Sequence, residues 1–181
     1  MKFDINVTEQ EYIKFNIFFN FHSSVGKRAL LFGRLTLPAV AALAVFILFV
    51  AGSDRSFILT EAIVLLIVSI IWIVGYPGIF KRQLTKNFQR MKKDGKLPYH
   101  EKETIEFLDS EVVAVSEDEE MHKKYADIEK VWVTGEFIMI TIDSMRAFIL
   151  PVRCLDNRKE ELMDFLKTKV EDRIEYVDWK F

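Results

Sequence analysis

The chain has 181 residues, half of them hydrophobic and 29% charged, with a formal net charge of −2. One Cys, seven Gly and four Pro beside sixteen Phe exclude a disulfide scaffold, a collagen-like repeat and a disordered chain. The near-neutral total hides a split: residues 1–96 carry thirteen Lys and Arg against six Asp and Glu, and residues 97–181 carry twelve against twenty-one. Mean hydropathy is positive despite this charge, so apolar and polar material must be segregated along the chain.

Residues 2–7 alternate polar and apolar, which reads as a short strand with Phe3, Ile5 and Val7 on one face. Thr8 and Glu11 then have the spacing of a capping box, and Tyr12, Phe15, Phe18 or Phe19, and His22 recur every three to four residues. That aromatic stripe suits a helix packed on its own domain better than one lying against lipid, because few basic residues flank it.

Two uncharged runs follow, 35–51 and 62–80. At ~1.5 Å per residue they reach about 26 and 28 Å, near the ~30 Å hydrocarbon thickness of a bilayer. Neither shows the polar stripe of a buried soluble helix, so both read as membrane spans. Pro38 falls in the first turns of the first run; Gly75-Tyr76-Pro77-Gly78 is expected to close the second, with Trp72 anchored near the same interface. The ten-residue connection 52–61 makes the spans antiparallel neighbours. The first run starts some thirty residues in and lacks a small-residue cleavage site, so a span is expected rather than a signal peptide.

Lys27, Arg28 and Arg34 precede the first span; Lys81, Arg82, Lys86, Arg90, Lys92, Lys93 and Lys96 follow the second; the connection holds only Arg55, beside Asp54. This bias places both termini in the cytoplasm, in the cell membrane, and leaves Cys154 a free, partly buried thiol. Leu84, Phe88 and Met91 make 81–96 an amphipathic helix leaving the membrane, ended by Gly95 and Pro98. Its cations Lys81, Arg82, Lys86, Arg90, Lys92 and Lys93 are candidates for lipid-headgroup contact; no recognition motif accompanies them, so nucleic acid is not the expected partner.

From 97 onward short β-rich runs alternate with turn residues: 104–108, 111–116, 122–126, 130–134, 137–142 and 146–151, with tight hairpins at Gly135-Glu136 and Asp143-Ser144. A helix over 158–170 follows, with Asn157 and Glu160 at N-cap and N3 spacing and Leu162, Phe165, Leu166 and Val170 on one apolar face; 175–179 offers one more short strand. The fold class is therefore a membrane α-hairpin plus an α+β cytoplasmic domain, an antiparallel curved sheet or barrel capped by a C-terminal helix. The division is 1–28, 29–80, 81–96 and 97–181.

Tyr125-Ala126-Asp127-Ile128-Glu129-Lys130-Val131, the strand 137–142, and Ala147-Phe148-Ile149-Leu150-Pro151 followed by Arg153, Cys154 and Leu155 resemble the YcxB-like family of bacterial membrane proteins. The resemblance implies a pleckstrin-homology-like (PH-like) domain, seven curved strands capped by one helix, and supplies no catalytic residue. Each motif also has a packing reading: Ile128 and Val131 fill a core, and Pro151 ends a strand. Six strands after the hairpin are one short of that count, so residues 3–7 are expected to pair with the C-terminal sheet.

Chemistry is sparse. His22, His100 and His122 lie in different segments without metal-ligand spacing, and Glu117-Asp118-Glu119-Glu120 lacks the Gly of a calcium loop and reads as a hairpin tip. No phosphate cradle or nucleophile turn is present, and Cys154 beside Arg153 reads as a structural thiol. No enzymatic activity, cofactor or metal is expected. The expected role is a membrane-tethered interaction or regulatory module whose partners are the lipid bilayer and a protein, with homo-oligomerisation compatible; the alternative is a subunit of a small oligomeric transporter or channel. The acidity of 97–181 disfavours phosphoinositide-style binding by that domain and suits a basic partner.

Overall fold

A computed structural model describes every residue except 96–98, 100, 118, 143–145 and 180–181. Lys96, Pro98, His100, Asp118 and Asp143-Ser144, each singled out above, lie outside the described residues. In chain order the elements are β1 (Lys2–Asn6), α1 (Glu9–His22), α2 (Ser24–Val50), α3 (Arg55–Lys93), β2 (Lys102–Phe107), β3 (Glu111–Val115), β4 (Glu120–Lys124), β5 (Lys130–Val133), β6 (Phe137–Thr141), β7 (Ala147–Pro151), α4 (Lys159–Val170) and β8 (Ile174–Tyr176). They form two compact units, Asn16–Lys93 and Met1–Phe15 with Asp94–Phe181.

In the first unit, α2 and α3 are long and apolar enough to cross a membrane. Their side chains are turned outwards: Phe32 is 72% exposed, Phe49 70% and Val74 76%, which no soluble core helix tolerates. Ser23 caps α2, its Oγ accepting from the Gly26 N–H at 3.1 Å. Gly26 is sterically required, since a Cβ there would lie 1.9 Å from the Asn20 carbonyl oxygen.

The connection between α2 and α3 is four residues, 51–54, not ten. Asp54 accepts the Ser56 hydroxyl on its carboxylate and the Ile58 N–H on its carbonyl at 3.0 Å, so the second helix starts well before its apolar run. Trp72 Nε1–H donates to the Gly33 carbonyl at 3.0 Å, and a Cβ on Gly33 would fall 1.9 Å from Tyr76 Oη. Gly33 lies 17 residues before the end of α2 and Trp72 17 residues after the start of α3, so the helices are antiparallel. Trp72 is thus a hairpin-closing residue rather than a free interfacial anchor.

Gly75-Tyr76-Pro77-Gly78 does not end α3, which runs unbroken to Lys93 with Pro77 inside it. Pro77 forfeits only the bond to the carbonyl four residues back, whereas unwinding the segment would break several backbone bonds.

In the second unit, β1 to β4 form one four-stranded sheet in that order, and the other runs β7-β6-β5-β8. All pairings are antiparallel except β5 with β8. Two separate sheets stand where a barrel was expected, and the described residues form no closed barrel. The N-terminal segment does pair with the C-terminal sheet: β1 lies against β2 with Phe3 opposite Ile105 and Ile5 opposite Glu103. Its burial alternates, Phe3 and Ile5 facing the core, while β6 is buried at every position and so is covered on both faces. Phe165 of α4 meets Phe107 and Tyr125 edge-on, joining the helix to the first sheet.

Asn157 is not the N-cap of α4. Asp156 and Asn157 adopt left-handed backbone (φ 48° and 61°), and Arg158 occupies the cap position without a side-chain capping bond. A sharp turn after the short 3₁₀ segment Val152–Cys154 needs positive φ, and Asn and Asp tolerate it better than most residues.

Candidate functional site

The basic segment is the last three turns of α3, and it is two-faced. Arg82, Lys86, Arg90 and Lys93 are exposed and recur at four, four and three residues, which places them on one stripe. Leu84, Phe88 and Met91 fall on the opposite side, with Phe88 buried. Lys81 and Lys92 lie roughly 100° off the basic stripe at ~100° per residue. Four of the six candidate headgroup contacts therefore share a surface, and continuity of α3 through Pro77 fixes their rotation relative to the span.

In the other unit the conspicuous feature is a cavity of about 200 Å³ between the start of α1, the first sheet and β7. Tyr12, Phe15, Tyr99 and Phe148 supply aromatic walls, with Tyr12 and Tyr99 stacked at 4.3 Å; Glu103 and Arg146 bring opposite charges. The aromatic stripe of α1 thus packs as expected, Tyr12 and Phe15 being buried. Sequence reading missed the cavity because its walls come from five elements.

Beside it, Glu11 ties β1 and α1 to the exit of β7. Arg153 donates from Nε to Oε1 and from Nη2 to Oε2, both at 2.7 Å, and also to the Asn6 carbonyl. Partial burial alone would raise the Glu11 pKa, but the bonds from Arg153, the Thr8 N–H and the Thr8 hydroxyl outweigh it and hold the carboxyl at about 2. The Thr8 N–H reaches Glu11 Oε2 at 2.8 Å and the Glu11 N–H reaches Thr8 Oγ1 at 3.3 Å, so the capping box forms and serves a second purpose. Arg158 adds a bond to the Lys2 carbonyl at 2.9 Å and lies 4.5 Å from the Phe3 ring centroid.

The remaining candidates are dispersed. His22 Nδ1 is 2.9 Å from the Phe18 carbonyl, and His122 sits in β4 between Glu111 (3.3 Å) and Glu120 (3.1 Å), whose bonds raise its pKa. Among the described residues no three His, Cys, Asp or Glu are grouped to hold a metal. Cys154 is a free, partly buried thiol with Sγ 3.8 Å from the Asn6 carbonyl. Ser116 and Glu119 close the β3–β4 connection through a 2.8 Å backbone bond, so Glu117 and Glu119 lie at a hairpin tip and Glu120 opens β4. Ile128 and Val131 are buried, as the packing reading of the family motif requires.

Residues 107–169, about a third of the chain, match the model of the YcxB-like protein family. The match covers β3 to α4 and the motif at 125–131, and leaves out β1 and the spans. Comparisons with curated proteins and with solved structures gave no match.

Proposed function

We propose that this protein is a membrane-tethered cytoplasmic interaction module: a PH-like domain, non-enzymatic, that binds a basic segment of a partner protein. The observation that carries the reading is that β1, ahead of the apolar hairpin, and β2, after it, are neighbouring strands of one sheet. A domain assembled from both sides of a hairpin is attached to the bilayer twice, and both attachments lie on one side. The Lys and Arg distribution favours the cytoplasm for that side, with both termini there.

The PH-like reading is supported by the strand count. Adding β1 to β2–β7 gives seven antiparallel strands in sheets of four and three, followed by α4; β8 is an extra strand parallel to β5. The acid excess of residues 97–181 supports a basic partner. The stripe of Arg82, Lys86, Arg90 and Lys93 then meets lipid headgroups, on the order of 1 kcal/mol per charge near an anionic surface.

The test is affinity capture from native membranes through a C-terminal tag. A partner with a basic contact segment should be retained at about 0.15 M salt and released towards about 1 M, where exposed charges are screened. Absence of any salt-sensitive partner, or ion flux through the purified protein in liposomes, would overturn the reading.

A further inference from the structure

We propose that the cavity between α1, the first sheet and β7 binds a free α-amino acid with one aromatic ring, the ring inside and the ammonium and carboxylate at the mouth. The site depends neither on the membrane hairpin nor on a basic partner, because every lining residue belongs to the unit Met1–Phe15 with Asp94–Phe181.

Burial orders the walls. Tyr12, Phe15 and Phe148 are buried, and Ile142 and Ile149 with them, so the inner surface is apolar and largely aromatic. The stacking of Tyr12 on Tyr99 at 4.3 Å joins two of the rings into one wall. Arg146 and Glu119 are exposed and Glu103 is half-buried, so the ionised groups stand nearer solvent. Strand register puts Glu103 there. It shares a face of β2 with Ile105 and Phe107, both buried, so its carboxylate is on the core side at the open end of the strand.

Charge and size then select the ligand. A purely cationic molecule would face Arg146, and a purely anionic one would face Glu103 and Glu119; a zwitterion answers both signs. Glu103 suits an ammonium, and the forked guanidinium of Arg146 suits a carboxylate. Protein interiors leave few voids larger than a water, and an apolar cavity of about 150 Å³ takes benzene. At about 200 Å³ the cavity has room for one ring and the carbons next to it, which leaves the ionised groups at the rim. An apolar body held inside and oriented by a few polar groups is the usual economy of a small-molecule site.

The experiment is calorimetric titration of the full chain in nonionic detergent with four probes. These are L-phenylalanine, L-alanine without the ring, phenethylamine without the carboxylate, and 3-phenylpropionate without the ammonium. L-phenylalanine should bind with roughly millimolar affinity or better, in keeping with about a dozen packed heavy atoms. Phenethylamine and 3-phenylpropionate should bind roughly tenfold more weakly, the loss expected for one charged hydrogen-bonded contact, and L-alanine more weakly still. Arg146→Gln should weaken L-phenylalanine roughly tenfold without weakening phenethylamine. Glu103→Gln should weaken L-phenylalanine to the same degree without weakening 3-phenylpropionate. Damage to the fold would instead weaken every probe alike, and that result overturns the assigned contacts. If Glu103→Gln does not accumulate, the exposed Arg146 and the four probes on wild type decide. No binding of L-phenylalanine at about 20 mM, well above a millimolar dissociation constant, overturns the site and leaves Glu103 and Arg146 serving the fold alone. Equal binding of L-phenylalanine and phenethylamine overturns it in favour of a cationic side chain supplied by a partner.

Discussion

Replacing Phe3 by Ala asks whether β1 is a structural member of the second unit or an ornament on its edge. The ring is 1% exposed, packs edge-on to Phe107 at 6.1 Å between centroids, and carries the Arg158 guanidinium on its face. Truncating a buried Phe costs about 3–5 kcal/mol, and partial collapse of the shallow site near a sheet edge argues for about 4. That is a large share of the ~5–15 kcal/mol typical of a whole domain. The readout is amide exchange of β2, which β1 flanks on one side and β3 on the other. At 1.36 kcal/mol per decade, a loss of about 4 kcal/mol raises exchange through global opening by roughly a thousandfold. Lys2→Ala on the same strand removes only an exposed side chain and should stay within about 0.5 kcal/mol. If Phe3→Ala changes β2 exchange no more than Lys2→Ala does, β1 is not part of the core and the argument for a doubly tethered domain fails.

Gly26→Ala should destabilise the hairpin unit by about 1–3 kcal/mol, because the new Cβ meets the Asn20 backbone rather than a yielding side chain; thermal unfolding in detergent measures it. Trp72→Phe removes the bond to the Gly33 carbonyl and should cost about 1 kcal/mol, read from the same transition. For Glu11 the folded pKa of about 2 lies below the ordinary value of 4.5, so its contribution is complete above pH 4.5 and is lost as pH falls towards 2. Glu11→Gln should therefore flatten the acid limb of the stability profile, and an unchanged limb would show that the Arg153 bond does not form in solution. A cysteine placed at Ser53 in a Cys154→Ser background should react with an impermeant maleimide from the non-cytoplasmic face only; labelling from the cytoplasmic face would reverse the proposed orientation.

Much of this architecture could be read from local pattern. The two long apolar helices announced themselves through missing charge, and six of the seven described post-hairpin strands appeared as separate runs, with the seventh offered at 175–179, because alternation and turn residues act over four to eight residues. The pairing of β1 with β2 was reachable too, by counting strands against the resembled family. What escaped depended on environment. Pro77 reads as a stop, yet α3 continues through it at the loss of one backbone bond, where unwinding would lose several. Asn157 has the right chemistry for an N-cap, but the turn after β7 uses its tolerance of positive φ instead. Arg34 was counted as a topology signal, and the burial of its Nε without an acceptor left no trace in the sequence. The cavity of Tyr12, Tyr99, Phe148 and Arg146 left no local trace, since those residues converge from distant parts of the chain.

Adjacency of β1 and β2 also imposes an order on synthesis. Phe3 and Ile105 are register partners, yet every residue of both spans is made between them. At ~5–20 residues per second the N-terminal strand waits several seconds for its neighbour. On the proposed membrane-spanning reading it must be left on the same side of the bilayer when that neighbour emerges. Insertion of only one of α2 and α3 would strand the two halves of the sheet in different compartments, with Phe3 and Ile5 unburied and the edge of β2 open. On the proposed membrane-spanning reading, completion of the sheet requires that both apolar helices have crossed, and a chain that fails leaves Phe3 and Ile5 without the neighbours that bury them.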